Sequence, residues 1–231
     1  MKYRSKTCIT LPRRADFARH PRWVGNLEAT QSLLASERDM CEGPDEVGER
    51  QAVQLGRFLL TSVPRPDFVI SSPYLRAHRG AELAVAVAWP STEVITDERL
   101  VEQNKGTDGG DYYEDDNLID RVYPGGETLR QVGLRVLDLL HEPDYADAHI
   151  VVVTHARLML VGRIAVGRQK YLTLRDQGLP GGVHGIMIGN CSVDTYDRTN
   201  PVSPWFTEMR VREAWGDNPL DSGPIPIRQE L

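Results

Sequence analysis

The sequence predicts an α/β fold: a three-layer sandwich with a mainly parallel central sheet and helices on both faces. Strand-like and helix-like segments alternate along the chain, which is typical of a parallel sheet covered on both sides. The clearest strand is the continuous apolar run Ile150-Val151-Val152-Val153. The clearest helix follows Pro124-Gly125-Gly126, where apolar residues recur at helical spacing. In sheets of this kind, ligands bind at the carboxyl ends of the strands.

The first half of the chain predicts two strand–helix units. A basic stretch over 1–13 comes first, and a polar stretch over 27–44 is long enough to cover a site. The predicted elements here are a strand over 14–18, a helix over 45–60, a strand over 67–70 and a helix over 74–88.

The second half continues the alternation after an irregular excursion. Residues 103–120 are polar, glycine-rich and acidic, with no helical or strand period, and we expect them to run over the surface. The acidic part lacks a recognisable metal-binding loop pattern, so it is interpreted as a solvated cover. The predicted elements are a short strand at 94–95, a helix over about 129–140, a strand over 150–153, a helix soon after residue 155 and a strand over 190–196.

Composition indicates an ordinary globular protein. The 231 residues are 40% hydrophobic and 26% charged. We expect one domain over 1–231, with a core at about 14–197 and a surface-packed tail over 198–231. The net charge of −6 argues against nucleic acid as a partner. No apolar run approaches membrane-spanning length, so no membrane association is expected.

Cysteine usage and the first residues favour a cytoplasmic location. The three cysteines are scattered, and they show neither metal-ligand spacing nor a disulfide framework. The first ten residues are basic but lack the apolar stretch of a secretory signal.

Polar side chains collect where three predicted strands end. Arg19-His20 follows the first strand, Ser71-Ser72-Pro73 the second and Thr154-His155 the central one, and Asn26 lies six residues after His20. A guanidinium, an imidazole and an amide at one strand exit could hold a tetrahedral anion, and the imidazole could also attack it.

Five motifs, taken in order, resemble the histidine phosphatase superfamily, which has the phosphoglycerate-mutase-like fold. They are Arg19-His20 with Asn26, Ser71-Ser72-Pro73 followed by Arg76-Ala77, the isolated Glu102, Pro124-Gly125-Gly126-Glu127, and Thr154-His155-Ala156. The late Asn190-Cys191-Ser192 also resembles a segment common in that family. The resemblance covers about residues 14–197.

The resemblance implies a phosphatase that hydrolyses a small-molecule phosphate monoester through a phosphohistidine, without metal ion or cofactor. His20 would be the nucleophile, and Glu102 would protonate the leaving alcohol and then activate water. Phosphate would be bound by four residues: Arg19, Asn26, Arg76 and His155, the last also counted as catalytic. The chemistry is consistent with these roles, because phosphoryl transfer needs positioning and charge stabilisation, and arginine forks match phosphate oxygens.

The resemblance also leads to expectations about protonation. A guanidinium close to His20 favours the neutral, nucleophilic imidazole. His155 is more useful when protonated, which a bound phosphate dianion would favour.

The sequence departs from the family pattern after the nucleophile. Pro21 stands where the family usually has glycine; its carbonyl could still orient the imidazole, but its φ is fixed at about −65°. Arg22 could bind a second anionic group of the substrate or be a solvated loop residue, and His184 is a further candidate for substrate contact.

Two alternatives therefore stay open beside the phosphatase. One is a mutase that moves phosphate within a substrate, although the sequence Pro21-Arg22-Trp23 lacks the residues that usually follow in strict mutases. The other is a phosphate-binding module that has lost turnover because of Pro21. The oligomeric state also stays open, with a homodimer among the alternatives.

Overall fold

The computed structural model describes residues 11–23, 42–107, 119–165, 188 and 190–198. The strands are β1 (Arg14–Arg19), β2 (Phe68–Ser71), β3 (Val94–Thr96), β4 (His149–Thr154) and β5 (Val193–Asp197). The α-helices are α1 (Glu46–Ser62), α2 (Leu75–Ala88), α3 (Leu129–Leu140) and α4 (Ala156–Ala165), and short 3₁₀ turns lie at Glu98–Leu100 and Pro143–Tyr145. The predicted order of strands and helices is confirmed.

The five strands form one sheet in the order β3-β2-β4-β1-β5. Strands β1 to β4 are parallel to one another, and β5 pairs with β1 in the antiparallel sense. The register places Arg19 opposite Thr154 at the ends of β1 and β4. His20 and His155, which come next in each strand, therefore leave the sheet side by side.

Both faces of the sheet are covered, as a three-layer sandwich requires. Successive side chains of a strand point to opposite faces. Phe17 and Val152 pack into a core with the apolar faces of α3 and α4. Ala18 and Val151 pack on the opposite side with α1 and α2. The mainly parallel, doubly covered sheet is thus confirmed.

Two helices begin at well-formed caps. Asp45 accepts from the amide of Gly48 at 2.7 Å at the start of α1. Thr128 and Gln131 form a reciprocal capping box at the start of α3, which satisfies amides that otherwise have no helical partner. The cap of α3 fixes the point at which the chain returns from the loop that follows β3.

The segment over 103–120, expected to run over the surface, is buried at two of its described residues, whereas Asn104 and Thr107 are exposed. The side chains of Gln103 and Ile119 are buried. The Glu127 amide donates to the Asn104 carbonyl at 2.8 Å, and the Thr107 amide donates to the Pro124 carbonyl at 3.1 Å. A sequence period cannot show such contacts, because they join segments that have no regular structure of their own.

Within the described ranges, no helix is both long and apolar enough to cross a membrane. The expected surface-packed tail over 198–231 lies outside the described residues except for Arg198, and the single domain over 1–231 stays a prediction.

Candidate active site

His20 directly follows β1 and is held through its backbone and its ring. Its amide donates to the carbonyl of Thr154 at 2.9 Å. Its Nδ1 lies 2.6 Å from the carbonyl oxygen of Pro21. Because a carbonyl can only accept, Nδ1 carries the proton and Nε2 keeps its electron pair. The imidazole therefore has the tautomer that attack by Nε2 requires.

The surroundings of His20 favour the neutral ring. Burial lowers the pKa of His20 well below its usual value, and the guanidinium groups of Arg76 and Arg19 lower it further. An imidazolium here would lose its hydration and face two other cations. The hydrogen bond to the Pro21 carbonyl opposes this shift without reversing it. The guanidinium groups thus lower the pKa of His20, as expected from the sequence, and burial lowers it by a larger amount.

Two arginines lie at the same edge of the sheet. Arg19 ends β1, and one of its terminal nitrogens donates to the carbonyl of Ile188. Arg76 is buried in the first turn of α2. Its guanidinium carbon is 4.4 Å from the ring centroid of Trp23 and 5.0 Å from that of Tyr74. Stacking on two aromatic faces limits the orientations open to this guanidinium group.

His155 follows β4 and is fully buried. Its ring centroid is 5.1 Å from that of His20 and 5.3 Å from that of Tyr74. Its Nε2 lies 2.9 Å from the hydroxyl oxygen of Ser72, whereas its Nδ1 has no hydrogen-bond partner among the described residues. Burying a ring nitrogen without a hydrogen-bond partner costs free energy. A ligand atom that formed a hydrogen bond with Nδ1 would remove this cost and so favour binding.

Burial also lowers the pKa of His155 well below its usual value, with Arg76 as the next contributor. In the protein alone, His155 is therefore neutral near pH 7. The protonated form expected from the sequence requires an anion beside the ring, which would oppose both causes of the shift.

Glu102 lies on the loop that follows β3 and is half-buried. Its Oε1 accepts from the amide of Gln103 at 2.9 Å. Two residues earlier, the carbonyl of Leu100 accepts from the Thr154 hydroxyl at 3.0 Å. This bond ties the loop to the end of β4, beside His155. Glu102 therefore comes from the same edge of the sheet as His20.

A clamp formed by Glu127 and Arg135 holds the Glu102 loop against α3. The Arg135 guanidinium donates twice to the Glu127 carboxylate, at 2.8 and 3.1 Å. It also donates to the carbonyls of Arg99 and Glu102, at 2.5 and 3.4 Å. The Glu127 carboxylate in turn accepts from the amide of Asn104 at 3.1 Å. The clamp thus contacts the loop on both sides of Glu102.

The structure gives Arg22 a local contact and does not describe two of the other predicted site residues. Arg22 pairs with Asp45 at 2.7 Å and so supports the first turn of α1, a local role that the sequence did not indicate. Asn26 and His184 lie outside the described residues, and their assignments stay predictions.

Sequence reasoning did not assign roles to several residues that surround the site. Ser72 belongs to the Ser71-Ser72-Pro73 motif and Tyr74 directly follows it, so their positions beside His155 had a signal. Trp23 and Arg135 had none, because their contacts with Arg76 and with the Glu102 loop are made across the fold.

The chain belongs to the histidine phosphatase superfamily (branch 1), whose family model matches residues 45–170, more than half of the 231 residues. Membership supports a phosphatase or phosphoryl-transfer role. No curated protein sequence matches the chain.

Solved structures of low sequence identity share the fold. A mycobacterial glucosyl-3-phosphoglycerate phosphatase complexed with VO3 is 23% identical, with a TM-score of 0.57 over 79% of this chain and 90% of that one. The TTHB049 protein of Thermus thermophilus is 21% identical, with a TM-score of 0.55 over 81% and 95%. A candidate alpha-ribazole-5'-P phosphatase of Escherichia coli is 20% identical, with a TM-score of 0.52 over 68% and 80%.

Proposed function

We propose that the protein is a phosphatase that hydrolyses a small-molecule phosphate monoester through a phosphohistidine on His20. The observation that carries this proposal is the pairing of two buried imidazoles, His20 and His155, with ring centroids 5.1 Å apart. They lie beside Arg19 and Arg76, whose charges act on both rings.

In the first step, Arg19, Arg76 and His155 hold the phosphoryl oxygens, with Asn26 proposed as a further donor. The electron pair on His20 Nε2 forms an N–P bond while the bond from phosphorus to the leaving oxygen breaks. Glu102, in its protonated form, gives its proton to that oxygen and releases the alcohol. The Pro21 carbonyl stabilises the positive charge that then develops on the imidazole.

In the second step, water attacks phosphorus and the N–P bond breaks. The Glu102 carboxylate takes the proton from water, and the electron pair returns to His20. Inorganic phosphate leaves, and Glu102 is again protonated. The arginines supply positive charge to the phosphoryl group in both steps.

This mechanism uses no metal ion, since the arginines provide the charge stabilisation that a cation would otherwise supply. Among the residues that the structure describes, no group of three or more His, Cys, Asp or Glu side chains is placed to hold a metal ion.

Trapping the intermediate tests the proposal. We expect the protein to gain one phosphoryl group on His20 when it is mixed with p-nitrophenyl phosphate and denatured at alkaline pH without acid. The modification should be acid-labile and base-stable, and peptide mass spectrometry locates it. The same reaction should proceed in the presence of a chelator and be inhibited by vanadate.

A matched control is His141→Asn, which removes an exposed histidine at the end of α3 and should still be labelled. His20→Asn should not be labelled. Phosphate on a serine, or full turnover by His20→Asn, would refute the mechanism. A screen of sugar, nucleotide, acid and peptide phosphates then identifies the substrate class, and an isomeric product in place of free phosphate would indicate a mutase.

A further inference from the structure

The ring of Pro21 packs directly on α2 at Gly80. Gly80 is buried on the face of α2 that meets the segment after β1. A Cβ atom at this position would lie 2.4 Å from Pro21 Cδ and 2.8 Å from Pro21 Cγ, and the next nearest atom would be the Pro21 nitrogen at 3.8 Å. Among the described residues, the three nearest heavy atoms all belong to Pro21, so the proline ring fills the space for a side chain at residue 80.

The opposite side of Pro21 meets the catalytic imidazole. Its carbonyl oxygen lies 2.6 Å from His20 Nδ1, while the amide of His20 is anchored to the Thr154 carbonyl at 2.9 Å. Because the proline ring fixes φ, the ring and the backbone of this residue cannot rotate independently about the N–Cα bond. The shortest approach is to Cδ, which is bonded to the backbone nitrogen, so a displacement of this atom by α2 also moves the backbone that carries the carbonyl.

We propose that Gly80 is a positioning residue for His20, acting through Pro21. A proline can follow the nucleophile in this protein because α2 has no side chain at the point where the pyrrolidine ring rests. This inference rests on the proposed function of His20, and its geometry can be tested separately from turnover.

The proposal predicts that the effect of one substitution depends on the residue at position 21. In the native background, Gly80→Ala must push the proline ring away, because no Cβ is tolerated at 2.4 Å from another carbon. A displacement of the nucleophile by about 1 Å can cost a factor of ~100 in rate. We expect kcat with p-nitrophenyl phosphate to fall about 10- to 100-fold.

In the Pro21→Gly background, the same change should have little further effect. The atoms that clash, Cγ and Cδ, are absent, and the remaining nitrogen at 3.8 Å is an ordinary contact. Alanine is also the better helix former. The double variant should therefore match the Pro21→Gly single variant in kcat and melt at the same or a higher temperature.

Imidazole nitrogen NMR provides a readout that does not depend on turnover. In Gly80→Ala, the Nδ1–H signal of His20 should shift or broaden as its bond to the Pro21 carbonyl lengthens, whereas the double variant should give the Pro21→Gly spectrum. If these signals behave as expected but neither the native protein nor any variant forms phosphohistidine, the positioning inference stands and the proposed function fails.

Equal effects of Gly80→Ala in both backgrounds would overturn the positioning role. An unchanged His20 signal in a destabilised Gly80→Ala variant would also overturn it, because the clash would then be absorbed by α2 alone. If Gly80→Ala does not fold, the double variant is compared with Pro21→Gly instead. A clash that does not involve Pro21 would persist in the double variant and lower its kcat or melting temperature, which would overturn the proposal.

Discussion

His20 is oriented by groups that do not depend on the side chain of the next residue. The acceptor for Nδ1 is the carbonyl of Pro21, and every amino acid at that position has one. Proline differs from other residues here in its ring, which extends from the opposite side of the backbone and packs against Gly80. The fixed φ of Pro21 is therefore compatible with an aligned nucleophile, and its presence alone gives no reason to expect loss of turnover.

The single substitution Glu102→Gln tests the proposed proton donor. The amide keeps the shape of the side chain but cannot donate a carboxyl proton. General acid catalysis typically contributes about 10²- to 10⁴-fold, so turnover of an alkyl phosphate should fall within that range. Nitrophenolate scarcely needs a proton to leave, so its release in the first step should be nearly unaffected, whereas water attack on the intermediate should slow. Stopped-flow absorbance should show a nitrophenol burst followed by a slow steady state.

Glu98→Gln is the matched control, because Glu98 is an exposed carboxylate in the 3₁₀ turn just before Glu102. It should retain turnover of the alkyl phosphate. If Glu102→Gln lowers the turnover of both substrates equally and shows no nitrophenol burst, the proton comes from another group. Glu98 and Glu114 are then the next residues to change.

At the scale of elements, the loop after β3 depends on α3 for its position. Arg135 is a single side chain that donates to both loop carbonyls and to Glu127. Its forked guanidinium can make these bonds at once, which a lysine ammonium cannot do with the same geometry. Helix α3 therefore positions the loop that carries the proposed general acid through the side chain of Arg135.

Arg135→Lys should consequently lower turnover of the alkyl phosphate with little effect on the first-step burst of nitrophenol. We expect a fall of about 10-fold or more, as for the loss of charge-assisted hydrogen bonds of ~1.5–3 kcal/mol. In the Glu102→Gln background, Arg135→Lys should have almost no further effect on turnover, because both changes remove the same function. Steady-state and burst kinetics of the four proteins measure this coupling.

The control for that cycle is Arg130→Lys on the same helix. Arg130 pairs with Asp120 at 2.6 Å, an ion pair that lysine can keep, so its substitution should leave both assays unchanged. Additive effects of Arg135→Lys and Glu102→Gln would contradict the positioning role of the clamp.

Elements with strong local patterns were predictable from the sequence. The apolar run of β4 and the helical spacing of α3 each contain enough information to place an element within a few residues. The resemblance placed Arg19, His20, Arg76 and His155, because each lies at or shortly after the end of a strand at a characteristic spacing. The structure brings these four residues to one edge of the sheet.

The contacts that tune the site were not predictable. The fit of Pro21 on Gly80 and the stacking of Trp23 on Arg76 join residues far apart in the chain. No local period encodes such a pair, since either partner alone is compatible with many environments. The same reason explains why the burial of Gln103 and Ile119, within a segment expected at the surface, was not predicted.

For the whole molecule, the strand order determines where chemistry can occur. The neighbours β4 and β1 lie far apart in the sequence yet end at the same level of the sheet. Their adjacency brings His20 and His155 together in an interior that excludes water. Folding therefore places two ionisable rings in a buried, cation-rich environment, and this has a cost that depends on pH.

Acidification should destabilise the fold through these two histidines. Both pKa values are lowered in the folded protein, whereas an unfolded histidine titrates at about 6.5. Below that pH the unfolded chain binds more protons than the folded protein, so the free energy of unfolding falls as pH falls and levels off above it. Each histidine contributes up to about 1.4 kcal/mol per pH unit in this window.

Urea unfolding at intervals from pH 5 to 8 measures this dependence. The carboxylate of Asp16, whose pKa is also lowered, contributes mainly below this range, because unfolded aspartate titrates at about 3.9. We therefore expect the slope between pH 5 and 6 to decrease in both His20→Asn and His155→Asn, by up to about 1.4 kcal/mol per pH unit in each. The decrease should appear even if asparagine changes the stability at pH 8, because the comparison concerns the slope. Equal slopes in the native protein and both variants would mean that neither imidazole is held neutral by the fold, and the electrostatic basis for a nucleophilic His20 would be lost.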